Sequence, residues 1–256
     1  MIGRAWEIYK NESVRGIINA VLRAIYWNLG IIKIHYRILT VLSIPLSVAV
    51  NDHECRFRIT SFEEMKRCVG VMGEREILEI FLHRLDETDV VWDIGANVGI
   101  YSCFSSQIAD QVIAFEPHPA NFQRLRENVS LNKGSVECKN IALSNFEGTV
   151  AMTDQGSAGY GENEVVPAGE IEVKAKCGDN IKPVPDAIKI DVEGHESAVV
   201  KGLKEILPDI RFALIEVHDQ KSRGEVRDIL LNAGMEVEQI GDRGKEVHLL
   251  GERNSN

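Results

Sequence analysis

Val90-Val91-Trp92 is a short apolar run of β-favouring residues, and it leads straight into Asp93-Ile94-Gly95-Ala96-Asn97-Val98-Gly99. A helical pattern through Tyr101, Phe104 and Ile108 follows. Strand, tight turn and helix in that order open a βαβ unit, so the chain is built around a parallel sheet with helices packed on it. Glycines let the turn take positive φ and approach a ligand closely, and the new helix offers free N–H groups at its start.

A turn of this kind can cradle a dinucleotide or S-adenosylmethionine (SAM). The dinucleotide fingerprint is G-x-G-x-x-G, whereas here Gly95 and Gly99 stand four apart with Asp93 in front. SAM has no pyrophosphate to seat, and its cationic amine suits an acid such as Asp93, so the acid-first turn favours SAM. Val112-Ile113-Ala114-Phe115 is a second buried strand, and it ends in Glu116-Pro117. An acid there lies beside the first turn, where it can accept both hydroxyls of a ribose; the alternative is a cap on the helix that starts near Pro119. His118 either flanks the adenine or faces solvent.

Four segments are specific in combination: DIGANVG from Asp93, FEPHPANFQRLRENVSLN over 115–132, IALSNFEG over 141–148 and IKIDVEGHE over 188–196. Together they resemble the FkbM family of SAM-dependent methyltransferases, over roughly Glu74 to His218. The resemblance implies a Rossmann-like class I methyltransferase fold: α/β, with a mostly parallel seven-stranded sheet and helices on both faces. It implies an enzyme that methylates hydroxyl groups of sugars, glycans or related small molecules. It also implies a cofactor site of Asp93, Gly95, Ala96, Asn97, Gly99, Glu116, Pro117, His118 and Asp191. Cys177-Gly178-Asp179-Asn180 departs from the Leu-Asp-Asp-like segment common in the family.

Ala187 to Ile190 is another apolar strand, followed by Asp191-Val192-Glu193-Gly194 and a helix expected to reach about Ile206. Phe212 to Val217 is a further strand carrying Glu216, with His218 next. Both loops open at the carboxyl edge of the sheet, where ligands bind, so Asp191, Glu193, Glu216 and His218 form the expected catalytic cluster. Methyl transfer is an in-line displacement that needs alignment and dryness more than acid–base power. His218, with an ordinary pKa near 6.5, is the expected base, and Asp191 orients the acceptor or holds the SAM amine. Asp191 and Glu193 are alternatively helix caps, and His195 reads as a surface or capping residue. The same carboxylates and histidine offer ligands for a divalent metal, which is an alternative and not the expectation.

Elsewhere, Glu74 to Leu85 reads as a helix leading into the domain, and 148–173 as an inserted hairpin with a glycine-rich tip at 156–161. A helix over 224–232 and strands at 235–240 and 247–250 complete the sheet with an antiparallel pair. The first 50 residues carry six Lys/Arg against two Asp/Glu, while the chain as a whole is at −10. That contrast marks an N-terminal helical extension, 1–72, apart from a methyltransferase domain, 73–256. Val14, Ile18, Val21, Ile25, Leu29 and Ile32 recur at helical spacing among basic residues. The helix is either a cap or subunit interface, which leaves an oligomer open, or a peripheral membrane contact over 13–50 near a lipid-linked acceptor. The uncharged run 38–50 has 13 residues and includes Pro45, short of the roughly 20 that a membrane span needs. Five scattered cysteines without zinc spacing suit a reducing, cytoplasmic setting. The negative charge disfavours nucleic acid as partner and points to a small-molecule or glycan acceptor. Competing readings are a methyltransferase acting on protein or RNA, and a non-catalytic nucleotide-binding Rossmann protein.

Overall fold

The computed structural model describes residues 30–154, 164–242 and 246–253. The chain divides into two compact units, Met1–Pro45 and Leu46–Asn256. In the first, helix α1 (Ile31–Leu42) runs from Gly30 to Ser43, both in left-handed conformation. Ile34, Ile38, Val41 and Leu42 are exposed on it. Of the expected N-terminal amphipathic helix only Ile32 is among the described residues.

The second unit opens with an antiparallel hairpin of β1 (Leu46–Val50) and β2 (His53–Phe57). Helix α2 (Phe62–Leu82) follows, and it starts twelve residues before the expected Glu74. A capping box explains the early start: the Ser61 hydroxyl accepts from Glu64 N, and Glu64 Oε2 accepts from Ser61 N. The apolar stripe that signalled the helix is only its second half, since the first turns set half-buried Glu63 and Lys66 around buried Met65 and Cys68.

The main sheet is built from β3 (Val90–Ile94), β4 (Gln111–Phe115), β5 (Val136–Lys139), β10 (Ala187–Ile190), β11 (Phe212–Val217), β12 (Glu236–Asp242) and β13 (Val247–Glu252). Its order is β12-β13-β11-β10-β3-β4-β5, and every pair is parallel except the two made by β13. This is the seven-stranded, mostly parallel sheet expected from the sequence. Helices α3 (Ile100–Ser105), α4 (Pro119–Leu131), α5 (Glu196–Lys201) and α6 (Gln220–Asn232) connect the strands.

Side chains alternate across the sheet, and the alternation decides what each face carries. Trp92, Ile94, Ile113, Phe115, Ile188 and Ile190 pack with Val199, Val200 and Leu230 of α5 and α6. Trp92 and Phe115 meet edge to face at 5.1 Å. The intervening positions, Val91, Asp93, Lys189 and Phe212, belong to the other face, where Phe81 of α2 contacts Phe212 and Tyr101 and Leu125 of α4 packs on Ala114.

Between β5 and β10 lies a second sheet rather than a lone hairpin: β6 (Ala142–Ser144), β7 (Gly148–Met152), β8 (Val165–Val166) and β9 (Ile171–Cys177), in the order β6-β9-β7-β8. The expected hairpin is the antiparallel β7·β9 pair; the glycine-rich tip lies outside the described residues. This sheet has its own core of Ala142, Val150, Met152, Val173 and Ala175. Helix α5 is shorter than expected and ends at Gly202, whose backbone lies against the second sheet: a Cβ there would stand 2.0 Å from Ser144 O. Helix α6 begins four residues before the expected Gly224, capped by Asp219, whose carboxylate accepts from Lys221 N and Ser222 N.

The turn after β3 allows little substitution. Gly95 has φ +80°, and a Cβ there would fall 1.8 Å from Asp191 O. Gly95→Ala therefore has to open the β3–β10 junction. It is expected to cost at least ~2 kcal/mol in denaturant unfolding, and a variant as stable as the parent would refute this account of the turn.

Candidate active site

Three strand ends meet at the carboxyl edge. Gly95 N and Ala96 N donate to Phe115 O at 2.9 and 3.0 Å, joining β3 to β4, and Asp191 N donates to Ile94 O at 3.0 Å, joining β10 to β3. Glu116 ties the turns together: one carboxylate oxygen accepts from Asn97 N and the other from His118 N, both at 2.8 Å. Asn97 holds φ +50° at this point. A cleft opens above, with about 560 Å³ of empty space counting the open solvent at its mouth.

Of the expected cofactor residues, Gly95, Asn97, Glu116, Pro117 and Asp191 line this cleft, along with the apolar Phe115 and Ile141. Asp93 does not. Strand alternation turns its carboxylate to the opposite face, where it is 1% exposed. There Oδ2 accepts from the Ser102 hydroxyl at 2.5 Å and Oδ1 lies 3.9 Å from Lys189 Nζ. The expectation that Asp93 holds an amine gives way to a buried counter-charge for Lys189. Burial raises the Asp93 pKa, with Lys189 and Ser102 opposing. Ala96 is buried in the turn and Gly99 packs on Leu125. His118 is buried, with Nε2 3.2 Å from Asp154 Oδ1, and so it faces neither open solvent nor the cleft.

The expected catalytic group comes together in part. Asp191, Glu193 and His218 place one ligand-type atom each within 4.8 Å of one another. His218 Nε2 is 3.2 Å from Glu193 Oε2 and 3.8 Å from Asp191 Oδ1, while Nδ1 is 2.8 Å from Glu196 Oε1. Glu216 stands apart because its strand parity points it at His248 on β13, 3.4 Å away. The His218 pKa is about 9: burial lowers it, but the Glu196 hydrogen bond and the charges of Glu193 and Asp191 outweigh burial. His218 is thus an imidazolium at neutral pH, not the neutral base expected from its ordinary value. Glu193 is pushed to about 8 by burial and by Asp191. Asp191 itself is lowered: burial acts to raise it, and Lys189, Arg67 and His218 overcome that.

Three residues were not singled out from sequence, and a fourth, His195, was given another role. Lys189 is 6% exposed, 3.2 Å from Asp191 Oδ2 and over the Tyr101 ring at 5.0 Å. Burial opposes its charge, yet Asp191, Asp93 and Glu216 hold its pKa above the ordinary lysine value. Ser102 and the fully buried Glu196 anchor Asp93 and His218. His195, expected as a surface or capping residue, stands at the N-cap of α5 without a side-chain capping hydrogen bond and lines the cleft, with Nε2 3.0 Å from Ser144 Oγ; burial lowers its pKa. A charged residue inside the apolar Ile188-Lys189-Ile190 strand was the one available signal.

Comparison with known proteins decides the family. The Methyltransferase FkbM domain matches residues 93–237. The hexuronic acid methyltransferase AglP of Haloferax volcanii is 32% identical, over 82% of this chain and 89% of its own. The chain belongs to the FkbM family of SAM-dependent methyltransferases. The 31-O-demethyl-FK506 methyltransferase FkbM of Streptomyces tacrolimicus is 28% identical over 71% of this chain and 90% of its own. A crystal structure of the FkbM methyltransferase from Methylobacillus flagellatus shares the fold at a TM-score of 0.51 and 14% identity; it covers 75% of this chain, which spans 55% of that structure's length.

The cleft fits SAM as this family uses it: Glu116 offers a carboxylate for a ribose diol, and Phe115 and Ile141 offer apolar walls. A diol donor needs the ionised carboxylate, and Glu116 has a pKa of about 7, raised by burial against the His118 and Asn97 hydrogen bonds. The ionised fraction grows as pH rises through that value. SAM affinity is therefore expected to strengthen up to roughly tenfold between about pH 6 and pH 8. Calorimetry should find that slope gone in Glu116→Gln; a flat profile in the parent would refute the assignment.

Proposed function

We propose that this chain methylates a hydroxyl oxygen of a sugar, with a glycan containing hexuronic acid as the acceptor class. The observation that carries the reading is the cleft itself. It is lined by Gly95, Asn97 and Glu116, suited to a nucleoside, and by Asp191, Glu193 and His195 together with Met152 and Val165 of the second sheet. The name of the Haloferax relative supplies the acceptor class.

SAM supplies an electrophilic methyl group when bound. The chain's residues hold the ribose at Glu116, shape the acceptor wall with Met152 and Val165, and keep the reacting oxygen in line, which is the larger part of catalysis. As the acceptor O–CH3 bond forms and the S–CH3 bond breaks, the hydroxyl proton passes to His195, a neutral imidazole because burial lowers its pKa. S-adenosylhomocysteine leaves. Asp191 and the pair Glu193 and His218 set the potential of the cleft and orient the acceptor. This division of labour moves the base role from His218 to His195.

His195→Ala is expected to lower kcat by roughly 10²-fold while leaving the Kd for SAM unchanged. The assay is S-adenosylhomocysteine release with uronic-acid oligosaccharides, and the product should be an alkali-stable methyl ether. An alkali-labile methyl ester would put the methyl on the carboxylate and overturn the proton-acceptor role. Methylation of RNA or protein instead of oligosaccharide would overturn the acceptor class.

Residues 13–50 are proposed as a peripheral contact with an anionic membrane on the cytoplasmic side. The exposed Ile34, Ile38, Val41 and Leu42 beside Lys33 and Arg37 support it. Among the described residues no helix is long and apolar enough to cross a membrane. The chain is expected to sediment with anionic vesicles and be released by salt; no sedimentation would remove the contact.

A further inference from the structure

We infer that Asp191, Glu193 and His218 form a site for one divalent cation of the manganese or magnesium type, at the acceptor end of the cleft. Its binding is independent of the methyl-transfer reading; its place in catalysis rests on that reading.

The three donors come from two strand ends, β10 and β11, and their ligand atoms lie within 4.8 Å of one another, close enough for one ion to reach all three. Binding displaces the protons of His218 Nε2 and Glu193, and the resulting two hard carboxylate oxygens and one imidazole nitrogen suit a cation of this type and leave its remaining positions for water and a substrate oxygen. Asp191 and Glu193 also line the cleft.

Two observations beyond the acidic pair point the same way. First, the ring of His218 is oriented from behind. Glu196, 0% exposed, holds Nδ1 at 2.8 Å, which directs Nε2 to the side where Glu193 and Asp191 lie. A carboxylate fixing the far nitrogen of a histidine is the arrangement that supports metal-ligating histidines. Second, Glu196 has capacity left over beside the site: it is 0% exposed, its Oε1 takes His218 Nδ1 and Gly194 N, and its Oε2 is buried without a hydrogen-bond partner. A buried carboxylate oxygen left in that state is costly, and a cation held by the neighbouring His218 offsets part of that cost.

In the reaction such an ion would polarise the acceptor hydroxyl and lower the barrier to its deprotonation, with His195 as the proton's destination. Asp191, Glu193 and His218 would then be ligands, and Glu196 a positioning residue that acts through His218.

The test is titration of the purified full chain with Mn2+, followed by the electron paramagnetic resonance signal of the free ion, with SAM binding measured separately by calorimetry in chelator. One Mn2+ per chain is expected, with affinity reduced at least tenfold in Glu193→Gln and in His218→Gln, and reduced less in Glu196→Gln. Circular dichroism shows whether each variant is folded. Glu193 is part-exposed, which makes Glu193→Gln the variant most apt to keep the fold. No binding by the parent chain at about millimolar Mn2+ would overturn the site, as would equal binding by both ligand variants. SAM binding without Mn2+ binding would overturn the site and leave the methyltransferase reading standing. Mn2+ binding without SAM binding would support the site and overturn that reading.

Discussion

The carboxyl edge of this protein depends on how closely two backbones approach. Gly95 leaves no room for a Cβ against the Asp191 carbonyl, and Asp191 N is bonded to Ile94 O. The cofactor turn and the loop carrying Asp191 and Glu193 are therefore one rigid junction rather than two neighbours. Phe115 O, accepting from Gly95 N and Ala96 N, brings in the third strand and with it Glu116. Gly95, Asn97, Glu116 and Asp191 inherit their places in the cleft from that junction, which explains how groups over twenty residues apart in sequence come to face one space.

Beneath the junction runs a second layer made of charge. Lys189 sits between Asp93 and Asp191 on the face away from the cleft and covers Tyr101. It stabilises Asp191 as a carboxylate, and Asp191 in turn raises the pKa of both Glu193 and His218. Protonation at the acceptor end is thereby set from the buried side of the sheet. Burial alone would make these acids neutral; the lysine decides which of them stays ionised.

Much of this was legible in the sequence, for identifiable reasons. The glycine turn, the acid after the second strand and the apolar strands report local backbone geometry, and they located the sheet and Glu116. What a motif does not report is which face a side chain takes. Asp93 reads as a ligand because it is an acid beside a glycine turn, yet period-two alternation from Ile94 sends it to the other face. The same parity takes Glu216 to His248. His195, read as a surface or capping residue, does stand at the N-cap of α5, but a histidine at a helix start has no periodic signature to report that its ring lies in the cleft beside Ser144. Helix lengths failed where polar chemistry outweighed apolar spacing, as at Ser61 and Asp219.

The second sheet divides the cleft by origin. Its packing centre of Ala142, Val150, Met152, Val173 and Ala175 is a cluster of its own, tied to the large core through Leu143 of β6, while Met152 and Val165 line the cleft. On the proposed function that wall is where acceptors are told apart: changes at Met152 and Val165 alter acceptor fit, while the backbone hydrogen bonds that hold Glu116 beside the glycine turn stay in place.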